Sequence, residues 1–245
     1  MVINVHGGHN RIVPGASGYL DEVTEDRAVT AQVIAKLKAL GHTVYDCTDD
    51  SGRTQGQNLA NIVHACNAHA ADLDVSIHLN SGGGTGTEVL VYSDTGEAAG
   101  YAVKICAAIS ELGYRNRGVK ERKALYVLRR TTAPALLVEC CFVDSAADAQ
   151  RFDADKMAAA IVRGITGQTA AQTGAAPAQQ TGYHVRITAS VLNVRRDHSA
   201  SSAVATQVRR GEVYTIVAEY NNGGTMWGKL KSGAGWIALN YTQIV

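Results

Sequence analysis

The chain has 245 residues, 46% of them apolar and 6% aromatic, which excludes general disorder and leaves Val, Ile, Leu and Ala to fill most of any core. A formal net charge of +1 gives no reason to expect a nucleic-acid partner. The balance is uneven, because residues 1–166 carry 16 Lys+Arg against 19 Asp+Glu while residues 183–245 carry 7 against 3, a basic excess that suits an anionic polymer. Five cysteines without framework spacing, two of them adjacent at Cys140 and Cys141, argue against a disulfide scaffold and for synthesis in a reducing compartment. The start, Met1 to His6, reads as a strand and lacks the basic start, apolar run and cleavage site of a signal peptide. No window reaches the roughly 18 apolar residues of a membrane helix. The expectation is a chain made in the cytoplasm, with no membrane partner, which reaches any extracellular target only after release.

In chain order, Val2–Val5 reads as a short strand ending in a His-Gly-Gly-His loop. From about Glu22 to Leu40, Val29, Val33, Leu37 and Leu40 form one helical stripe that Gly41 stops. Thr43–Tyr45 reads as a strand, Leu59–Ala70 as a helix, Asp74–Leu79 and Glu88–Tyr92 as strands, and Ala98–Leu112 as a helix. Leu125–Leu128 and Ala135–Phe142 read as strands, and 146–165 as a closing helix or pair. Such alternation implies an α/β domain with a twisted, mostly parallel sheet flanked by helices. Residues 167–182 have no charge, branched aliphatic or aromatic side chain, so they read as a flexible tether. Beyond it, Val185–Ala189, Leu192–Val194, Val213–Ala218, Met226–Leu230 and Gly235–Ala238 are short β segments, with a hairpin signal at Asn221-Asn222-Gly223-Gly224, and suggest a small all-β barrel.

Polar residues fall where apolar strands end. His9 follows the first strand, and Glu139 closes Ala135-Leu136-Leu137-Val138. Alternation places Ser76, His78 and Asn80 on one strand face, and Glu22 lies at the start of the first helix. In open α/β sheets functional groups gather at the carboxyl ends of strands, and two imidazoles with a carboxylate there form the donor set of a catalytic zinc site. Singly, each has a plainer reading as a hydrogen-bonded core histidine or a carboxylate leaving for solvent.

In order, Gly8-His9, Gly15-Ala16, Glu22 before a helix ending at Gly41, Ser76-Ile77-His78-Leu79-Asn80 and Val138-Glu139-Cys140-Cys141-Phe142 resemble the zinc-dependent N-acetylmuramoyl-L-alanine amidases of the Amidase_3 type. The resemblance spans residues 1–166. It implies Zn2+ held by His9, Glu22 and His78, Glu139 as catalytic acid/base, and bacterial peptidoglycan as substrate. The usual Asp-Pro before the first Gly-His is replaced by Val5-His6-Gly7, which adds His6 as a competing ligand; spacing to Gly15-Ala16 favours His9. Glu25 competes with Glu22, and the interval to Gly41 favours Glu22. His42, His64 and His69 match no ligand position, and Cys140 and Cys141 read as buried, inert thiols.

Residues 183–245 resemble the bacterial SH3 (SH3b) family through Leu192-Asn193-Val194-Arg195, Val208-Arg209-Arg210-Gly211, Trp227-Gly228-Lys229-Leu230, Gly235-Trp236-Ile237 and Leu239-Asn240-Tyr241. Domains of that kind commonly bind wall peptide or glycan, but Leu192, Val194, Trp227 and Trp236 are signature residues of the barrel itself. The joint expectation is a wall-lysing amidase of endolysin or autolysin character, fitting a phage- or prophage-type lysin. The competing readings are a catalytically silent wall-binding protein with structural zinc, and a zinc peptidase cutting within the stem peptide.

Overall fold

The computed structural model describes residues 1–168, 183–200, 202–222 and 225–245. The chain divides between Gln172 and Thr173 into two compact units. Apart from Gly167 and Gln168, the expected tether lies outside the described residues.

In the first unit, strands β1 (Val2–Gly7), β2 (Thr43–Asp46), β3 (Leu73–Asn80), β4 (Thr87–Val91), β5 (Asn116–Glu121) and β6 (Ala135–Phe142) form one sheet in the order β2-β1-β3-β6-β4-β5. Neighbours are parallel except β4 against β6, so β4 and β5 run opposite to the other four strands. The helices are α1 (Glu22–Ala39), α2 (Gln55–Asn67), α3 (Glu97–Ser110), α4 (Tyr126–Arg130), α5 (Ala146–Arg151) and α6 (Ala154–Thr166). On one face the stripe Val29, Val33 and Leu37 of α1 packs with Ile105 of α3 and Ile161 of α6 in the main core. On the other, Ile62 and Cys66 of α2 join Val127 and Leu128 of α4 over Leu90 and Leu137. The sheet is therefore covered on both sides, which is why its central strands read as apolar runs.

One expectation about elements is corrected, and one strand was not expected. Leu125–Leu128 is no strand. Arg129 N and Thr131 N donate to the carbonyls of Leu125 and Val127 at 3.1 and 3.2 Å, closing the turn of α4. So short an apolar run has no period to separate buried helix from buried strand. Strand β5 was invisible because Asn-Arg-Gly-Val-Lys-Glu lacks apolar alternation, and it forms the sheet's edge.

In the second unit, β7 (Tyr183–Ile187), β8 (Val191–Arg195), β9 (Val204–Arg209), β10 (Val213–Asn222), β11 (Thr225–Leu230), β12 (Trp236–Ala238) and β13 (Thr242–Ile244) pair antiparallel in the order β13-β7-β10-β11-β12-β8-β9. Strands β9 and β13 join the five expected from sequence. At the hairpin signal, β10 and β11 pair as far as Asn222 opposite Thr225, and Gly223 and Gly224 lie outside the described residues. Val194, Ile216 and Ile237 are fully buried in this unit's own core.

Helices α3 and α6 meet at Gly164, where a Cβ would stand 2.6 Å from the Cα of Ile105. Gly164→Val therefore forces the helices apart, and urea unfolding of the variant is expected to show a loss of about 1–3 kcal/mol, the usual cost of overpacking. An unchanged unfolding midpoint would mean that this contact has slack.

Candidate metal centre and active site

Three segments far apart in sequence bring donors to the carboxyl ends of β1 and β3. His9 lies just past β1, Glu22 opens α1, and His78 lies near the end of β3. One ligand atom from each falls within 4.8 Å of the other two. His78 Nδ1 is 3.1 Å from Glu22 Oε1, His9 Nε2 is 3.8 Å from the same oxygen, and the imidazoles meet edge-on with centroids 5.2 Å apart. Side-chain exposures of 27% for His9, 16% for His78 and 4% for Glu22 leave the imidazoles reachable and the carboxylate closed in. Two nitrogens and an oxygen, converging with one side open, match the chemistry of a catalytic zinc donor set.

The folded chain holds each donor in place. Asp21 caps α1 by accepting from Thr24 N at 2.9 Å, so Glu22 enters the first turn at the positive end of the helix. Its Oε2 accepts from Ala16 N at 2.7 Å, and its Oε1 from Leu79 N at 3.1 Å as well as from His78. Burial pushes the Glu22 carboxyl up, but the hydrogen bonds and imidazoles outweigh it and leave the pKa below the ordinary range. His9 has φ +49°, the one positive value among described non-glycine residues. Such a backbone costs about 1–3 kcal/mol and persists only when its surroundings enforce it. Arg27 does so, donating from Nη1 to the Gly8 carbonyl and from Nη2 to the His9 carbonyl, both at 2.8 Å. Asp26 and Asp50 hold that guanidinium in turn, at 2.6 and 2.7 Å. Burial, then the neighbouring His78, holds the His9 imidazole below its ordinary pKa and favours the neutral form that ligates metals. Cβ atoms on Gly8 and Gly15 would lie 2.0 Å from His78 Cε1 and 2.2 Å from Glu22 Oε2, so only glycine lets these loops approach the donors.

Glu139 stands opposite His78 across the β3–β6 pairing. Burial raises its pKa to about 7, with His78 opposing and Glu22 and Glu88 adding to the rise. Its Oε2 is buried without a hydrogen-bond partner among the described residues. With His9 and His78 it lines a cavity of about 240 Å³ whose apolar wall includes Leu59, Leu125 and Tyr126. A carboxyl poised near neutral pH, unpaired and facing the donors, is able to take a proton and give it back.

The competing candidates fall outside the three-donor cluster, although His6 lines the same cavity. His6 is buried outside the three-donor cluster, with Nδ1 3.3 Å from the Gly7 carbonyl and 3.5 Å from Ser76 Oγ, and burial pushes its pKa down to about 4. Glu25 lies on α1, also outside the cluster. His42 meets the terminal amine at 3.3 Å, His69 stacks on Tyr45, and His64 is exposed on α2. Cys140 and Cys141 are fully buried and free, and burial drives both thiols above their ordinary range, which leaves them inert. Sequence reasoning missed Arg27 and Asn58, whose Nδ2 reaches the His9 carbonyl at 3.4 Å and Asp49 Oδ2 at 2.9 Å. The only trace of the former was an Asp-Arg pair one turn beyond Glu22.

Residues 1–167 match the family described as N-acetylmuramoyl-L-alanine amidase, Amidase_3. An uncharacterized protein of Clostridium perfringens (strain 13 / Type A) is 38% identical over 154 residues, 60% of this chain, and the match spans 45% of that protein's length. The sporulation-specific N-acetylmuramoyl-L-alanine amidase of Bacillus subtilis (strain 168) is 30% identical over 209 residues, covering 83% of this chain and 80% of that protein. Among solved structures, the catalytic domain of an endolysin targeting Clostridia Difficile has a TM-score of 0.64 at 26% identity, over 69% of this chain and 98% of that one. With its donor cluster seated in the matched region, the chain belongs to the Amidase_3 family of N-acetylmuramoyl-L-alanine amidases.

Proposed function

We propose that this chain hydrolyses the amide between N-acetylmuramic acid and L-alanine in bacterial peptidoglycan, with zinc as its cofactor. The observation that carries the reading is the buried Glu139 carboxyl, with one oxygen unpartnered among the described residues, facing the same cavity as His9 and His78 of the three-donor cluster. His9, Glu22 and His78 are the residues that would hold the ion. Zinc bound there supplies Lewis acidity, which makes water nucleophilic near neutral pH and polarises the amide carbonyl. Glu139 accepts the proton of the attacking water and returns it to the departing alanine nitrogen. The apolar wall of Leu59, Leu125 and Tyr126 limits bulk water around that transfer. No covalent intermediate is needed.

Residues 1–166 are the catalytic domain in this reading, and 183–245 an SH3-like barrel that keeps the enzyme on the wall. The basic balance of the last segment, 7 Lys+Arg against 3 Asp+Glu, supports the wall as its partner. Among the described residues no helix is long and apolar enough to cross a membrane. A phage- or prophage-type lysin that is made in the cytoplasm and released to the wall fits these features.

Mass spectrometry of digested peptidoglycan tests the bond. New amino-terminal alanine with free muramic lactyl groups is the expected product, whereas a cut within the stem peptide, or none, rejects the reading. Zinc titrations test the ligands. His78→Ala is expected to lose the ion and His6→Ala to retain it. Arg27→Ala should bind zinc about 10–100-fold more weakly, the usual cost of removing a group that orients a ligand. A zinc-free His6→Ala protein beside a zinc-replete His9→Ala protein would exchange the roles of the two histidines. Glu139→Gln should keep its zinc and its fold and lose at least about 10²-fold in turnover. Wild-type turnover in that variant would assign the proton to another residue.

A further inference from the structure

The sheet face that carries His78 and Glu139 continues beyond them. His78 of β3 is paired with Glu139 of β6, and Glu139 with Glu88 of β4. Both oxygens of Glu88 are engaged: Oε1 accepts from Asn80 Nδ2 at 3.1 Å, and Oε2 from Arg117 Nε at 2.8 Å. Arg117 lies on β5, and its guanidinium carbon sits 4.9 Å from the centroid of the Phe142 ring. Phe142 is itself only 3% exposed.

These contacts fix the guanidinium while using only Nε and one π face. Neither Nη nitrogen donates a hydrogen bond to the described residues, although the Arg117 side chain is only 31% exposed. The paired Nη groups form the planar fork that binds a carboxylate through two parallel hydrogen bonds. A surface arginine ordinarily spends its rotamer entropy in solvent, whereas this one is held from two sides with its fork left over.

We propose that Arg117 is a carboxylate-binding subsite of the active-site cleft, reading the free α-carboxylate of the stem-peptide residue that follows the alanine. The inference rests on the amidase reading above. Two strand spacings of about 4.8 Å separate β5 from β6, which puts Arg117 on the order of 10 Å from Glu139. An extended peptide advances about 3.3 Å per residue, and one residue plus the reach of an arginine side chain closes that gap. In peptidoglycan the residue after alanine continues the chain through its γ-carboxyl. Its α-carboxyl is left pendant, free in some walls and amidated in others. A guanidinium fork distinguishes the two, because the amide brings no charge and only one acceptor oxygen.

The test compares full-length wild type, Arg117→Gln and Arg117→Lys on two soluble substrates, N-acetylmuramoyl-L-alanyl-D-glutamate and its α-amidated D-isoglutamine analogue. Arg117→Gln should raise KM for the carboxylate substrate by about tenfold or more, the value of a lost charge-assisted contact. A loss common to both substrates reports the unpaired Glu88, so the readout is the carboxylate-to-amide ratio of kcat/KM, which should fall about tenfold. Arg117→Lys should recover part of the KM, since it restores the charge without the fork. Equal losses on both substrates, or a fall in kcat alone, would assign Arg117 to bracing Glu88 and overturn the subsite while the amidase reading stands. Wild-type protein that cleaves neither substrate overturns both.

Discussion

The carboxylate of Glu22 is the point where three otherwise separate segments meet. One oxygen accepts from the backbone of the loop at Ala16, and the other from Leu79 N and His78 on the central strand. The residue itself begins α1, whose buried stripe anchors that helix in the main core. A buried carboxylate carries a large desolvation cost unless it is paired and hydrogen-bonded, so once Glu22 is buried these partners become obligatory. One of the bonds that offset its burial, the one from His78, also sets the position of that imidazole. Stability and site geometry are therefore coupled through one side chain, and the 3% exposure of Glu22 shows how completely the loop closes over it.

Two carboxyl groups that influence each other electrostatically at this site are pushed in opposite directions by their surroundings. Glu22 has three hydrogen-bond donors and lies below its ordinary pKa, while Glu139 has an unpartnered oxygen and is raised to about 7 by burial. Divergence of this kind separates roles: the anionic group suits a cation, and the neutral-poised group suits proton transfer. The hydrogen bonds explain why the two differ. Glu22 accepts from the loop N–H of Ala16 and from Leu79 N near the end of β3, whereas Glu139 sits inside a strand whose N–H groups are committed to β3 and β4.

His9 shows a further dependence. Its left-handed backbone is a local cost that Arg27 offsets by gripping the carbonyls on both sides of the peptide. Arg27 stays in place because Asp26 and Asp50 flank it. The loop after β1 that carries His9 is thus shaped from outside by α1, the helix that also supplies Glu22. Both the placement of the helix and the geometry of the donors follow from the burial of Val29, Val33 and Leu37.

By itself the sequence determined where most elements lie. Apolar runs at Val2–Val5, Asp74–Leu79 and Ala135–Phe142, and the stripe along α1, are periodicities that burial enforces locally, and they appear as strands and a helix. The polar residues at the ends of those strands, His9, His78 and Glu139, were legible because they interrupt the apolar pattern. Tertiary structure alone decided the rest. Leu125–Leu128 became a helix because four apolar residues carry no period, and β5 formed because an edge strand can be polar. The reversal of β4 and β5 depends on how the chain crosses the sheet, which no local propensity encodes. Arg27 and Arg117 were illegible for the same reason. An arginine reads as solvated charge until the fold brings a carbonyl, a carboxylate or a ring against it, and those partners lie up to 29 residues away in the chain.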